Sequence, residues 1–197
     1  MFSIEEKSLS FEEYLNYDNG DDFSYELVEG KLELMNPPTL LHLLISKFLE
    51  EIFGQQIKAD NLSLVCLQGA GIRTGVNKSR IPDLAIFPLS ILQSQLDRSA
   101  VFETPPQLVV EIVSPESRKR DYRYKRSEYA ALGIPEYWII DPQNQIITVL
   151  QWDEGLYEER VFQGKEMIIS QQFPKLTLTV EQVFNQPTFY SPLSKGG

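Results

Sequence analysis

Between Thr39 and Lys58 the apolar residues Leu41, Leu44, Ile45, Phe48, Leu49 and Ile52 fall on one stripe at 3.6-residue spacing. This pattern predicts a long amphipathic helix capped by Thr39. Elsewhere the period shortens to two or disappears into short apolar runs. YELVEGKLELM, residues 25–35, alternates about Glu29-Gly30 and predicts a hairpin stopped by Asn36-Pro37-Pro38. LSLVCL (62–67), IPDLAIFP (81–88), QLVVEIV (107–113) and EYWIIDP (136–142) predict strands. The third is apolar on both faces, as in a central strand covered from both sides. Ser10 and Glu13 have capping-box spacing for a short first helix. A second long helix is predicted from about Asp121 to Leu132, stopped by Gly133 and Pro135. From Gln145 onward QIITVLQW, LYEERVF and KLTLTV read as a meander closing on a short turn, VEQVF. GAGIRTGVNKSR, between the first two single strands, reads as a polar connection with room for another hairpin arm, and GAGIRTG itself as a loop.

The resulting order, helix, three strands, helix, strand, predicts an α/β fold with a mixed sheet and added hairpins at both ends, in preference to a pure Rossmann sheet. A chain of 197 residues suits one domain, assigned to residues 1–190, with a frayed tail at 191–197. Cys66 is the single cysteine, which excludes an intrachain disulfide and fits a reducing compartment, so a cytoplasmic location is expected. The N-terminus lacks a basic region followed by an apolar one, and no apolar run approaches the roughly 18 residues of a membrane span.

Charge changes the picture. The net charge is −10, which opposes nonspecific attraction to a polyanion. Any nucleic-acid surface must then be local, and the sequence offers one. Arg118, Lys119, Arg120, Arg123, Lys125 and Arg126 crowd into one short stretch opposed only by Asp121. A solvated helix face laced with salt bridges is the bland alternative.

The chemistry that favours the sharper reading lies in two strands. Asp83 and Glu111 each interrupt an apolar strand, and a buried carboxylate requires a partner or a metal. On neighbouring strands the two would repel unless a cation held both ionised. Mg²⁺ suits such a pair, because it takes a few carboxylate or carbonyl oxygens and keeps waters for substrate phosphates. Phosphodiester cleavage also commonly uses a lysine near the attacking water. The position two residues after Glu111 on the same face is Val113, so that lysine must come from elsewhere.

Pro82-Asp83, followed after 27 intervening residues by Glu111-Ile112-Val113, resembles the PD-(D/E)xK nuclease motif. The resemblance implies a restriction-endonuclease-like αβββαβ core with the motif on its second and third strands. The chain more closely resembles the Uma-two family of restriction-endonuclease-type proteins. The matching residues are Tyr25-Glu26-Leu27-Val28-Glu29-Gly30, His42, Pro82-Asp83, Glu111-Ile112-Val113-Ser114-Pro115, Asp121 with Lys125, and Gly133-Ile134-Pro135-Glu136-Tyr137-Trp138 through Asp141-Pro142. They span about residues 10 to 150 in order. The resemblance implies a Mg²⁺-dependent endonuclease acting on DNA, with Mn²⁺ as a substitute and a homodimer by analogy with enzymes that cut both strands.

On that resemblance Asp83 and Glu111 are metal ligands with the Ile112 carbonyl as a third, and Glu26 lines the site. The lysine is supplied from the helix after the third strand, where Lys125 lies one helical turn beyond Asp121; Lys119 and Arg123 are the alternatives. Arg118, Lys119, Arg120 and Arg123 are expected to contact phosphates. His42, the single histidine, and Asp121 stand in the second rank, and a hydrogen-bonded histidine bordering the core is the plainer reading of His42. Ser114 lacks a glycine-flanked elbow, which argues against a serine hydrolase. Tyr122, Tyr124, Tyr129, Tyr137 and Trp138 could stack on bases or pack in the core. Two other functions compete: a nuclease-fold module that binds nucleic acid or a protein without cutting, and a metal hydrolase of small phosphorylated substrates.

Overall fold

The computed structural model describes residues 8–21 and 23–185; the expected tail at 191–197 lies outside the described residues. The short first helix, α1 (Phe11–Leu15), starts where the capping box predicts. Glu13 N–H donates to Ser10 Oγ at 3.1 Å, and Ser10 N–H donates back to the Glu13 carboxylate at 2.8 Å. The YELVEG hairpin forms as β1 (Tyr25–Val28) and β2 (Lys31–Leu34). Its tip needs positive φ at both Glu29 (51°) and Gly30 (77°), and a Cβ on Gly30 would collide with Ser8. The long helix α2 (Leu40–Ala59) follows, capped by Thr39 accepting from His42 N–H.

Four single strands and a hairpin build the central sheet. In chain order they are β3 (Leu64–Leu67), β6 (Leu84–Pro88), β8 (Leu108–Ile112), β9 (Glu136–Asp141), β10 (Ile146–Asp153) and β11 (Leu156–Gln163), with β4 (Gly71–Gly75), β5 (Lys78–Arg80) and β7 (Val101–Phe102) belonging elsewhere. The spatial order is β11-β10-β9-β8-β6-β3, with β8 and β9 parallel and every other pair antiparallel. Both faces are covered. Ile45, Phe48, Leu49 and Phe53 of α2 pack on Leu84, Ile86, Val110, Ile112 and Trp138. On the other face Ala85, Phe87, Val109, Val113, Tyr137 and Ile139 meet Tyr129 and Ile72. Burial on both faces explains why β8 reads as an unbroken apolar run around Glu111.

A second sheet lies beyond that other face. It joins β4 (Gly71–Gly75), β5 (Lys78–Arg80) and β7 (Val101–Phe102) to the first hairpin in the order β2-β1-β5-β4-β7. The C-terminal hairpin thus extends the central sheet, whereas the N-terminal one belongs to a separate layer. Within GAGIRTG, Gly71–Gly75 is strand, not loop. Gly71 is needed there because a Cβ would sit 2.9 Å from the Val101 side chain of β7, so its glycine reflects close strand approach.

Three further expectations are corrected. The second helix begins before Asp121. Ser114 and Ser117 cap each other reciprocally, winding continues from Arg118, and Arg120–Lys125 widens into a π turn before α3 (Arg126–Ala131). KLTLTV forms no strand beyond a single Met167–Thr179 bridge, because Leu176, Leu178 and Val180 are spent on the α2 side of the core. VEQVF is a helix, α4 (Val180–Asn185), with Val183 buried. Among the described residues no helix is long and apolar enough to cross a membrane.

Candidate active site

The β6–β8 pairing sets Leu84 opposite Val110. One further step in this antiparallel register brings Asp83, just before β6, level with Glu111. The two predicted carboxylates are therefore neighbours at one end of the central sheet. Asp83 is held at both oxygens: Ile112 N–H donates to Oδ2 at 2.6 Å, and His42 Nε2 lies 2.7 Å from Oδ1. His42 reaches it from the first turn of α2, so the hydrogen-bonded reading of this histidine is correct, and its partner is a predicted ligand.

Glu111 points to the opposite face from Val110 and Ile112 and is 4% exposed. Lys125 Nζ lies 2.8 Å from its Oε1, and Tyr129 OH donates to the same oxygen at 2.7 Å. Lys125 is 3% exposed, so the exposed ion-pair reading fails. Its ammonium also meets Glu26 at 3.3 Å and Asp121 at 3.6 Å. Asp121, Lys125 and Tyr129 stand four residues apart along the π turn and α3, and each turns its side chain inward; π turns recur at functional sites.

Glu26 enters from β1 of the second sheet and is 2% exposed. Arg80 and Ile81 N–H each donate to it at 3.0 Å. Arg80 also forks onto Glu128 at 2.7 and 2.8 Å, and Thr74 Oγ1 donates to the same carboxylate. The cluster is thus joined across both sheets and the helix. Sequence patterning missed Arg80, Glu128 and the role of Tyr129. The visible signal for Arg80 was a lone arginine directly before IPD; its burial depends on strand pairings that local sequence does not show.

Charge decides the protonation states. Burial works against the Lys125 ammonium, but Glu111, Glu26 and Asp121 hold its pKa above the ordinary lysine range, so it stays cationic. Burial would raise Glu26, yet Lys125, Arg80 and the Ile81 N–H outweigh it and hold the carboxyl below its usual range. Glu111 goes the other way: burial, opposed by Lys125 and reinforced by Asp121, Asp83 and Glu26, pushes it up to about 8. Burial likewise raises Asp121 despite Lys125, and Asp121 Oδ1 is a buried oxygen with no hydrogen-bond partner.

The site therefore carries more carboxylate than its one internal lysine compensates. Its donors are all hard oxygens, which fits a cation such as Mg²⁺ that binds through one or two carboxylates and retains waters. Among the described residues no three His, Cys, Asp or Glu side chains converge as a self-sufficient metal cage.

The basic run divides. Lys125 goes inward, and Arg118 pairs with the buried Asp141. Arg120 lines the cleft above the cluster, while Lys119 and Arg123 stay exposed, 5.8 and 6.0 Å from the Tyr124 ring. Tyr129, Tyr137 and Trp138 are fully buried and cannot stack on bases. The cleft, about 460 Å³, is floored by Asp83, Glu111, Asp121 and Lys125.

A mixed sheet carrying Asp83 and Glu111 on adjacent strands, with a lysine delivered from the following helix, defines a restriction-endonuclease-like α/β protein. The chain belongs to the Uma2 (Uma-two) family, described as "Putative restriction endonuclease", whose profile matches residues 11–181. Its fold is similar to a crystal structure from Anabaena variabilis ATCC 29413 described as "a putative nuclease belonging to DUF820". The TM-score is 0.75 with 20% sequence identity, covering 90% of this chain and 98% of that one. No curated protein matches the chain. The family supports nuclease function.

Proposed function

We propose that the chain is a metal-dependent endonuclease hydrolysing DNA phosphodiester bonds, with Mg²⁺ as its ion and Mn²⁺ as a substitute. The observation that carries this reading is the buried Lys125 ammonium, 2.8 Å from Glu111 and one strand away from Asp83. Asp83, Glu111 and the Ile112 carbonyl would hold the ion. When bound, such an ion stabilises charge on phosphoryl oxygens and lowers the pKa of water.

The chain's own groups do the rest. His42 and the Ile112 N–H fix the orientation of the Asp83 carboxylate. Lys125, kept charged by its neighbours, donates hydrogen bonds to the attacking water and to charge developing on the phosphate. Glu26, Asp121 and Tyr129 hold Lys125 and Glu111 in register. Arg120 contacts phosphate at the cleft, with Lys119 and Arg123 farther along the helix; Arg118 joins them by exchanging Asp141 for phosphate. The same reading places the protein in the cytoplasm as a one-domain homodimer.

The test is cleavage of labelled DNA in Mg²⁺ by wild type and Asp83→Ala. The expected loss in the variant is about 100-fold or more. Wild-type cleavage no greater than the variant's overturns the reading. One observation favours a second reading, a nuclease-fold module that binds without cutting: Lys125 already neutralises part of the carboxylate cluster that a metal would otherwise serve. Under that reading DNA binding persists in the absence of any Asp83-dependent cleavage.

A further inference from the structure

The depth and walls of the cleft narrow the substrate. Glu111 and Lys125 are only 4% and 3% exposed, so a scissile phosphate must descend to the floor to meet them. The space above is about 460 Å³. That falls within the range of roughly 300–1,000 Å³ that encloses one compact ligand. A paired backbone is carried on a convex double helix that stays stiff over about 50 nm, and it presents its phosphates without turning any nucleotide into such a recess.

The walls differ in chemistry. Pro37, Pro38, Leu41, Pro115 and Pro142 line the cleft together with Arg120. Prolines have no N–H to offer a phosphate, and their fixed φ makes a rim that resists widening. An apolar wall with one arginine suits a nucleotide whose base is free to lie on the wall while its phosphate faces the cation. Leu41, although on the predicted apolar stripe of α2, is 47% exposed and is not spent on the core.

Resting on the nuclease reading, we propose that the substrate of this site is single-stranded DNA, either a free strand or the unpaired arm of a flap, and that intact duplex is excluded from the floor of the cleft. The base of the reacting nucleotide lies against Pro37, Pro38 and Leu41, and Arg120 meets an adjacent phosphate. Selection between strands is thus steric first and electrostatic second.

The experiment has a binding arm and a cleavage arm. Fluorescence anisotropy with Ca²⁺ compares an oligonucleotide of about 20 residues as a single strand, as a blunt duplex, and as a flap on that duplex. Cleavage of the same three is then followed in Mg²⁺. The single strand and flap are expected to bind about tenfold tighter than the duplex, with cuts confined to unpaired nucleotides. Duplex bound or cut as well as the single strand overturns the proposal. If nothing is cut but the single-strand preference in binding remains, the nuclease reading falls and the single-strand cleft stands.

Leu41→Asp supplies the second check. It sits in the first turn of α2, where a carboxylate suits the helix N-terminus, so the variant keeps its fold. It is expected to weaken single-strand binding about tenfold and to leave the weaker duplex binding unchanged. Unchanged single-strand affinity in a folded Leu41→Asp overturns the assignment of the wall.

Discussion

The buried ammonium of Lys125 meets three carboxylates of the site, Glu26, Glu111 and Asp121. Removing its charge as Lys125→Met leaves Glu111 and Asp121 buried without their cation, at a cost of about 3–5 kcal/mol. Urea unfolding should show that loss, and cleavage should fall at least as far as in Asp83→Ala. Tyr129→Phe is a gentler probe, because it deletes only the hydroxyl that donates to Glu111. A cost of about 1–3 kcal/mol in the same unfolding measurement is expected. Asp83 and Glu111 were legible in the sequence since each breaks an apolar run at a cost that demands a reason. Arg80 was not, because its partners Glu26 and Glu128 lie 54 and 48 residues away and come into reach only after β5 pairs with β1.

At the scale of elements, the β1–β2 hairpin is tied to the rest of the molecule by Glu26. This carboxyl has a folded pKa below its ordinary value of 4.5, so its contribution to stability is present above that value and is lost as pH falls through the folded one. Urea midpoints of wild type and Glu26→Gln should therefore differ most near neutrality and converge in acid below pH 4.5. A gap that widens in acid would contradict the sign. The first helix, α2 and the hairpin were readable because their periods and caps are local. β4 was not, because its glycine content, which reads as loop, serves close packing against β7. KLTLTV shows the converse, with strand-like alternation whose apolar residues are claimed by the core before any neighbouring strand can pair with them.

For the whole molecule, the uncompensated carboxylates predict a response to metal. Mg²⁺ that binds only the native state should raise the melting temperature of wild type as its concentration grows, and chelation should reverse the gain. Asp83→Ala should show no such dependence when ionic strength is held constant with NaCl. Cys66 offers an independent gauge of native order. Burial, with a small push from Glu50, raises its thiol to about 12, so alkylation at pH 8 should be slow until the chain unfolds. The α/β class and the order of the core elements followed from sequence alone. The separation into two sheets did not, since nothing local tells a hairpin which layer it will join.

Glu26 arrives from one sheet, Glu111 from the other, and Lys125 from the helix whose ammonium joins them. A chain still emerging from the ribosome, or one that has lost either layer, holds these groups apart and has no reactive centre. Assembly is thereby its own safety catch: the charged centre does not exist until the last piece of the fold has closed.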